Sequence, residues 1–227
     1  MSFWKYSFLV LPAWAAFFAL YFRMKKRELK LETILAKCAG TFLAFAGAVV
    51  WCWLTQRWDV GGLLALFFGL CMIADGLLEV WFVPGMLCFA AAHGVLAWRY
   101  MALLPPTRLP LQNHPMLLWV LLGVWALCVA VAVAVFRKDL KKTGKLLPVF
   151  VLYPVVLGLL VGQVFLCAVF YGGRSGWLAA AGMVCFYVSD LMVAKRFFHP
   201  EGYLWMEKPI MLLYWGALYL LEASLWL

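Results

Sequence analysis

The chain has 227 residues, 67% of them hydrophobic and 13% charged, with a formal net charge of +9, where a soluble domain has roughly 45 to 50% apolar and about 25% charged residues. A water-soluble core cannot absorb that excess, so an ordinary soluble domain is excluded and the chain is expected to be solvated by lipid. Aromatic residues reach 18%, including 13 Trp, which suits rings lying at two membrane interfaces.

A spanning helix needs about 20 mainly apolar residues. Charged or Pro/Gly-rich breaks leave eight runs near that length, at 4–22, 31–55, 61–82, 84–103, 116–136, 146–171, 176–194 and 209–227. The pattern predicts an all-α membrane protein with about eight transmembrane helices, a single polytopic domain over residues 1–227. The first run ends in Arg23-Met24-Lys25-Lys26-Arg27 with no small-residue cleavage site, so it is expected to stay in the membrane. The third and fourth runs are expected to join through a tight turn at Val83-Pro84-Gly85.

Orientation follows the basic residues, because Lys-rich and Arg-rich loops stay on the cytoplasmic side. The loops after the first, fifth and seventh runs hold thirteen Lys and Arg, among them Lys141, Lys142 and Lys145; the opposite face holds five, including Arg108. Both termini are therefore predicted outside the cytoplasm. Membrane topology accounts for the positive charge, and no nucleic acid is needed to explain it. The seven cysteines are odd in number and all lie within apolar runs, so they read as small buried hydrophobes.

Four polar residues sit inside the runs at one depth. Lys37 is in the second, Asp75 in the third, Tyr153 in the sixth and Asp190 in the seventh, each roughly 8 to 10 Å below the predicted cytoplasmic face at about 1.5 Å per residue. A charge in hydrocarbon costs several kcal/mol, so such groups point into the bundle, pair with one another and mark functional sites. Structural roles stand beside that reading: Lys37 snorkelling to the interface, and the aspartates acting as helix glue. Glu79 falls one turn from Asp75 on the same face, at an interfacial level. His93 lies near mid-bilayer, either as a hydrogen-bonded packing residue or as support for the site. Glu32 and Glu222, near helix ends, are expected to be interfacial.

A short similarity relates Gly69–Asp75 to Gly182–Asp190. Two parallel four-helix halves would bring Asp75 and Asp190 to one cavity. Two carboxyls in one apolar pocket supply an acid and a base together, the equipment of acid-assisted hydrolysis. There is no Gly-x-Ser-x-Gly, His-Glu-x-x-His or Walker loop. The three His, at 93, 114 and 199, are not spaced as ligands. The Gly-x-Gly-Asp of intramembrane aspartyl proteases is also missing, since Met72-Ile73-Ala74 precedes Asp75.

The segment Gly69–Trp98, with Asp75, Gly85, Phe89 and His93, resembles the YhhN-like lysoplasmalogenase family. So does Phe186-Tyr187-Val188-Ser189-Asp190 followed by Ala194 and Phe198, together with Lys37, Tyr153 and Tyr214. The chain departs from the family pattern at Cys38, where Pro follows the Lys, at Ala74, where Gly precedes the first Asp, at Leu96, where Tyr follows the His, and at Leu218, where helix eight has Gln.

The resemblance implies hydrolysis of the vinyl ether bond of lysoplasmalogens, alkenyl-glycerophosphoethanolamine or -choline, to a fatty aldehyde and a glycerophospho-base. Asp190 is expected to donate the proton and Asp75 to activate water, or the reverse. Lys37 would hold a carboxylate or the lipid phosphate, and Tyr153 would orient a carboxylate; His93, Glu79, Tyr187, Ser189 and Tyr214 are supporting candidates. No metal or organic cofactor is required. The expected partners are a lysophospholipid and membrane lipid, with homo-oligomerisation open, and the expected location is a bacterial cytoplasmic membrane. The rival reading is a small-molecule or lipid transporter with an intramembrane proton relay; a structural or lipid-binding protein is the third.

Overall fold

The computed structural model describes residues 3–103, 115–139, 144, 147–171, 173–199 and 204–227. Arg108, His114, Lys141, Lys142 and Lys145 lie outside them. The described residues form helices α1 (Phe3–Lys26), α2 (Lys30–Thr55), α3 (Trp58–Val80), α4 (Phe82–Leu103), α5 (Pro115–Phe136), α6 (Leu147–Tyr171), α7 (Gly173–Phe198) and α8 (Glu207–Ala223), with a 3₁₀ turn at Leu204–Met206 and no strand.

Seven of these, α1 to α7, are long and apolar enough to cross a membrane, which makes the protein integral and multi-pass. The eighth expected span, α8, is the shortest of the eight described helices. That helix has 17 residues and reaches only about 25 Å, against a hydrocarbon core of about 30 Å. Its helical geometry stops at Ala223 instead of running through Leu227.

The joint between α3 and α4 also differs from expectation. The chain breaks at Trp81, which is extended (φ −136°, ψ 103°), and α4 starts at Phe82, so Pro84 lies in its first turn. Proline is tolerated there because the first N–H groups of a helix have no intrahelical partner. The Gly85 N–H then makes the first bond of the new helix, to Trp81 O at 3.1 Å. A Cβ on Gly85 would meet the backbone of Leu78, so the glycine lets α4 fold back tightly on the end of α3.

The chain divides into two compact units, Met1–Arg99 with Leu218–Leu227, and Tyr100–Ala217. α4 and α8 each contribute to both, so the division is not a simple four-plus-four split. In the first unit α2 packs against α1 and α3. Its buried face repeats every three or four residues through Ala36, Lys37, Gly40, Thr41, Ala44 and Ala48. Small side chains at that spacing let helix backbones approach closely, the usual basis of helix association in lipid. The turn from α2 to α3 is tight: Gln56 adopts a left-handed conformation (φ 56°) and its amide donates to Trp53 O at 2.7 Å, satisfying a carbonyl that the helix end would leave open.

Glu222, in the last turn of α8, faces protein. It is fully buried, one oxygen accepts from Trp226 Nε1 at 3.0 Å, and its carboxyl lies against Gly47 of α2, where a Cβ would collide with it. Tyr6 stacks on Trp226 and Tyr219 beside it.

In the second unit α6 packs between α5 and α7. Beyond the end of α5, the buried Asp139 pairs with Lys195 Nζ at 2.5 Å and His199 Nε2 at 2.7 Å, while Lys195 also donates to Val135 O. The lysine thereby caps a carbonyl near the C-terminus of α5, where a cation is favoured. Burial disfavours ionisation of Asp139, but the hydrogen bonds and charges of Lys195 and His199 outweigh it and hold the carboxyl below its ordinary range.

Two outcomes follow for stability. Gly47→Ala should cost about 1 to 3 kcal/mol by overpacking, and Glu222→Ala should recover part of that loss when combined with it, read as non-additive thermal midpoints in detergent; strictly additive losses would show that the methyl is accommodated elsewhere. Asp139→Asn should cost about 3 kcal/mol at neutral pH. Because the folded pKa lies below the unfolded value of about 3.9, the contribution of the clamp is complete above that value and is lost as pH falls through the folded pKa. The stability gap between wild type and Asp139→Asn should therefore close on acidification, and a pH-independent gap would refute the ion-pair account.

Candidate functional site

Two antiparallel neighbours, α2 and α3, each carry two polar residues four apart. Lys37 and Thr41 share one face of α2, and Asp75 and Glu79 share one face of α3, because residues four apart lie one above the other on a helix. Packing α2 on α3 sets the four side chains against each other. Lys37 Nζ lies 3.5 Å from Asp75 Oδ1 and 3.3 Å from Glu79 Oε1. The Thr41 hydroxyl donates to Asp75 Oδ2 at 2.6 Å.

Burial grades along this cluster. The Asp75 side chain is 1% exposed, that of Lys37 11% and that of Glu79 34%; Thr41 is fully buried. Asp75 thus lies at the closed end, with the Thr41 hydroxyl donating to one oxygen and the Lys37 ammonium as an ion-pair partner of the other, and Glu79, next to the last residue of α3, lies at the open end. Lys37 is shared between them. An unpaired charge at this depth would cost several kcal/mol, so removing either kind of partner leaves a penalty larger than the bond itself.

Thr41 was not among the sequence candidates. The available signal was its position four residues after a lysine inside an apolar run, which puts a hydroxyl on the face that the lysine must bury.

The second unit holds the other aspartate. Tyr153 of α6 donates to Asp190 Oδ2 of α7 at 2.5 Å, and Asp190 is half-buried. Three more candidates tie α7 in place. The Tyr187 hydroxyl donates to Cys128 O of α5 at 2.6 Å, the Ser189 hydroxyl donates to Ile210 O of α8 at 3.2 Å, and Tyr214 meets Phe186 edge-on at 5.5 Å. These contacts fix the rotation of α7 and so the direction of Asp190. His93, in the first unit, is buried between the rings of Phe67 and Phe89, with centroids 6.3 and 6.5 Å away. Among the described residues no three His, Cys, Asp or Glu are grouped to hold a metal ion.

The family model for YhhN matches residues 32–225. The chain belongs to the YhhN family. No curated protein and no solved structure matches it. The YhhN match begins at the first turn of α2 and runs past the end of α8, so Lys37, Thr41, Asp75, Glu79, Tyr153 and Asp190 all lie within the part that defines membership.

Thr41→Val keeps the shape of the side chain and removes the donor to Asp75. It should lower stability by about 1 to 3 kcal/mol, because a buried acceptor loses its partner, while Thr41→Ser should stay near wild type. Thermal unfolding in detergent measures both, and a Thr41→Val protein as stable as wild type would show that the hydroxyl does not hold the carboxylate.

Proposed function

We propose that this YhhN protein is a membrane-embedded hydrolase that cleaves the vinyl ether bond of lysoplasmalogens, releasing a fatty aldehyde and a glycerophospho-base. The observation that carries the reading is Asp75, buried among apolar helices with Lys37 at one oxygen and Thr41 donating to the other. A hydroxyl donor and a neighbouring ammonium suit a carboxylate, an acceptor able to take a proton from water or to stabilise a cation. Family membership supports the reaction class.

A vinyl ether is cleaved by protonating its β-carbon. The C=C electron pair takes the proton, and the resulting oxocarbenium is attacked by water to give a hemiacetal, whose C–O bond to glycerol then breaks as the glycerol oxygen is protonated. A carboxylic acid and a carboxylate serve these steps as they do at a glycosidic bond. Asp190 supplies the proton, with Tyr153 orienting its carboxyl; Asp75 takes the proton from the attacking water and passes it to the glycerol oxygen as the C–O bond breaks, while the Asp190 carboxylate takes the hemiacetal hydroxyl proton as the aldehyde forms, so both carboxyls are reset. Overall one water is consumed and no net proton. The distribution of Lys and Arg supports a cytoplasmic side for the end of α2 and α3 that carries Lys37 and Glu79.

Purified protein incubated with an alkenyl lysophospholipid should release free aldehyde. Asp75→Asn and Asp190→Asn preserve size and hydrogen bonding, and each should lower turnover about a hundredfold or more while the protein remains folded and extractable. In oxygen-18 water the glycerol product should carry no label, because water attacks the former vinyl carbon. Label in the glycerol hydroxyl would mean displacement at glycerol and would overturn these roles, as would near-full turnover by either variant.

A further inference from the structure

Lys37 has two carboxylate neighbours, and they differ in kind. Asp75 is enclosed and also bound by Thr41. Glu79 is one third exposed, sits in the last turn of α3, and meets the same ammonium at 3.3 Å. The Lys37–Glu79 pair is therefore the accessible end of the cluster, one helical turn or about 6 Å from Asp75 along the axis. Lys37 can release Glu79 and still be neutralised by Asp75.

The surroundings say what can reach that end. Leu31 and Leu35 on α2, Val80 on α3 and Trp81 at the joint are all large, apolar and well exposed. They occupy the same ends of α2 and α3 as the ion pair, and exposed apolar side chains with a Trp at a helix end belong to the lipid interface. A molecule approaching there is a lipid whose charged group travels at the level of the helix ends.

We propose that the Lys37–Glu79 ion pair is the head-group receptor of the site and is selective for a zwitterion bearing a phosphodiester and a primary ammonium. The inference rests on the hydrolase reading and names the head group of its substrate. The pair opens as the lipid arrives: Lys37 passes from Glu79 to the phosphate while keeping Asp75, and Glu79 receives the lipid ammonium in place of the lysine. One ion pair becomes two, with no net charge brought into the membrane. The arriving group replaces a primary ammonium that hydrogen-bonds to Glu79 in the free protein, so ethanolamine reproduces the lost contact, whereas a trimethylammonium has no N–H to donate. With the phosphate on Lys37, the glycerol end of the lipid lies one turn deeper, at the level of Asp75.

Saturated 1-O-alkyl lysophospholipids have no vinyl ether and report binding without turnover. Three are compared in detergent, carrying phosphoethanolamine, phosphocholine and phosphoglycerol, the last having the same phosphodiester and no ammonium. Wild type should bind the ethanolamine lipid about tenfold more tightly than the phosphoglycerol lipid, with the choline lipid between, as expected of one charge-assisted hydrogen bond. Glu79→Gln should abolish that order and leave phosphoglycerol binding unchanged or tighter. Glu79→Asp, which keeps the charge on a shorter arm, should retain the order with a smaller ratio, and it replaces Glu79→Gln if that variant does not fold. Equal binding of the three lipids by wild type, or an unchanged order in Glu79→Gln, overturns the proposal. Aldehyde release from alkenyl lysophospholipids, run in parallel, separates the two claims: turnover without head-group preference removes the receptor alone, whereas ordered binding without aldehyde keeps the receptor and removes the reaction.

Discussion

A lysine in an apolar helix has to be neutralised where it stands, and in this protein that requirement organises the first unit. Lys37 lies between Asp75 and Glu79, and its own helix supplies Thr41 to the far oxygen of Asp75. The spacing of four on both helices means that a rotation or a one-residue slip of α2 against α3 would strand a charge in lipid. Small residues along the α2 face allow the close approach, but they would tolerate several registers. The ion cluster selects one, which is the role buried polar groups are best known to play.

The second unit meets the same constraint differently. Its half-buried carboxylate in the spans, Asp190, has a phenol as partner, while the ion pairs described for this unit stand at the helix ends, where Lys195 and His199 hold Asp139 and Arg196 holds Glu207. Charges at an end are partly wet and can serve as clamps between successive helices. A charge inside a span has to be matched by a partner on another helix, as Lys37 of α2 is by Asp75 of α3. On this contrast the polar residues fall into two classes, one holding the joints of the fold and one holding the carboxylates proposed to react.

Membership of the YhhN family and the graded burial from Glu79 to Asp75 bear on different parts of the function. Membership supports the proposed reaction class, while the gradient gives a direction: an accessible, charged end at the ends of α2 and α3 and a closed end where water access is limited. A lipid hydrolase needs both, because its substrate arrives sideways from the bilayer and its reacting bond must be held below the surface.

Where the helices run could be read from the residues alone, because hydropathy is a local property, and runs of about 20 apolar residues have few other uses. The sequence also exposed Lys37, Asp75, Tyr153 and Asp190, since an ionisable or polar residue inside such a run is conspicuous wherever it points. What it could not supply was pairing. Thr41 and Glu222 look unremarkable in the string: a threonine is common in apolar helices, and a glutamate four residues before a helix-terminal tryptophan reads as interfacial. Their positions against Asp75 and Gly47 arise only when one helix packs on another. The break at Trp81 instead of Pro84 and the shortness of α8 have the same origin. Gly85 fits against the backbone of Leu78, and the end of α8 is fixed by the groups it meets in the first unit. Helix ends and polar partners depend on contacts between residues tens or hundreds of positions apart, and no local pattern records those.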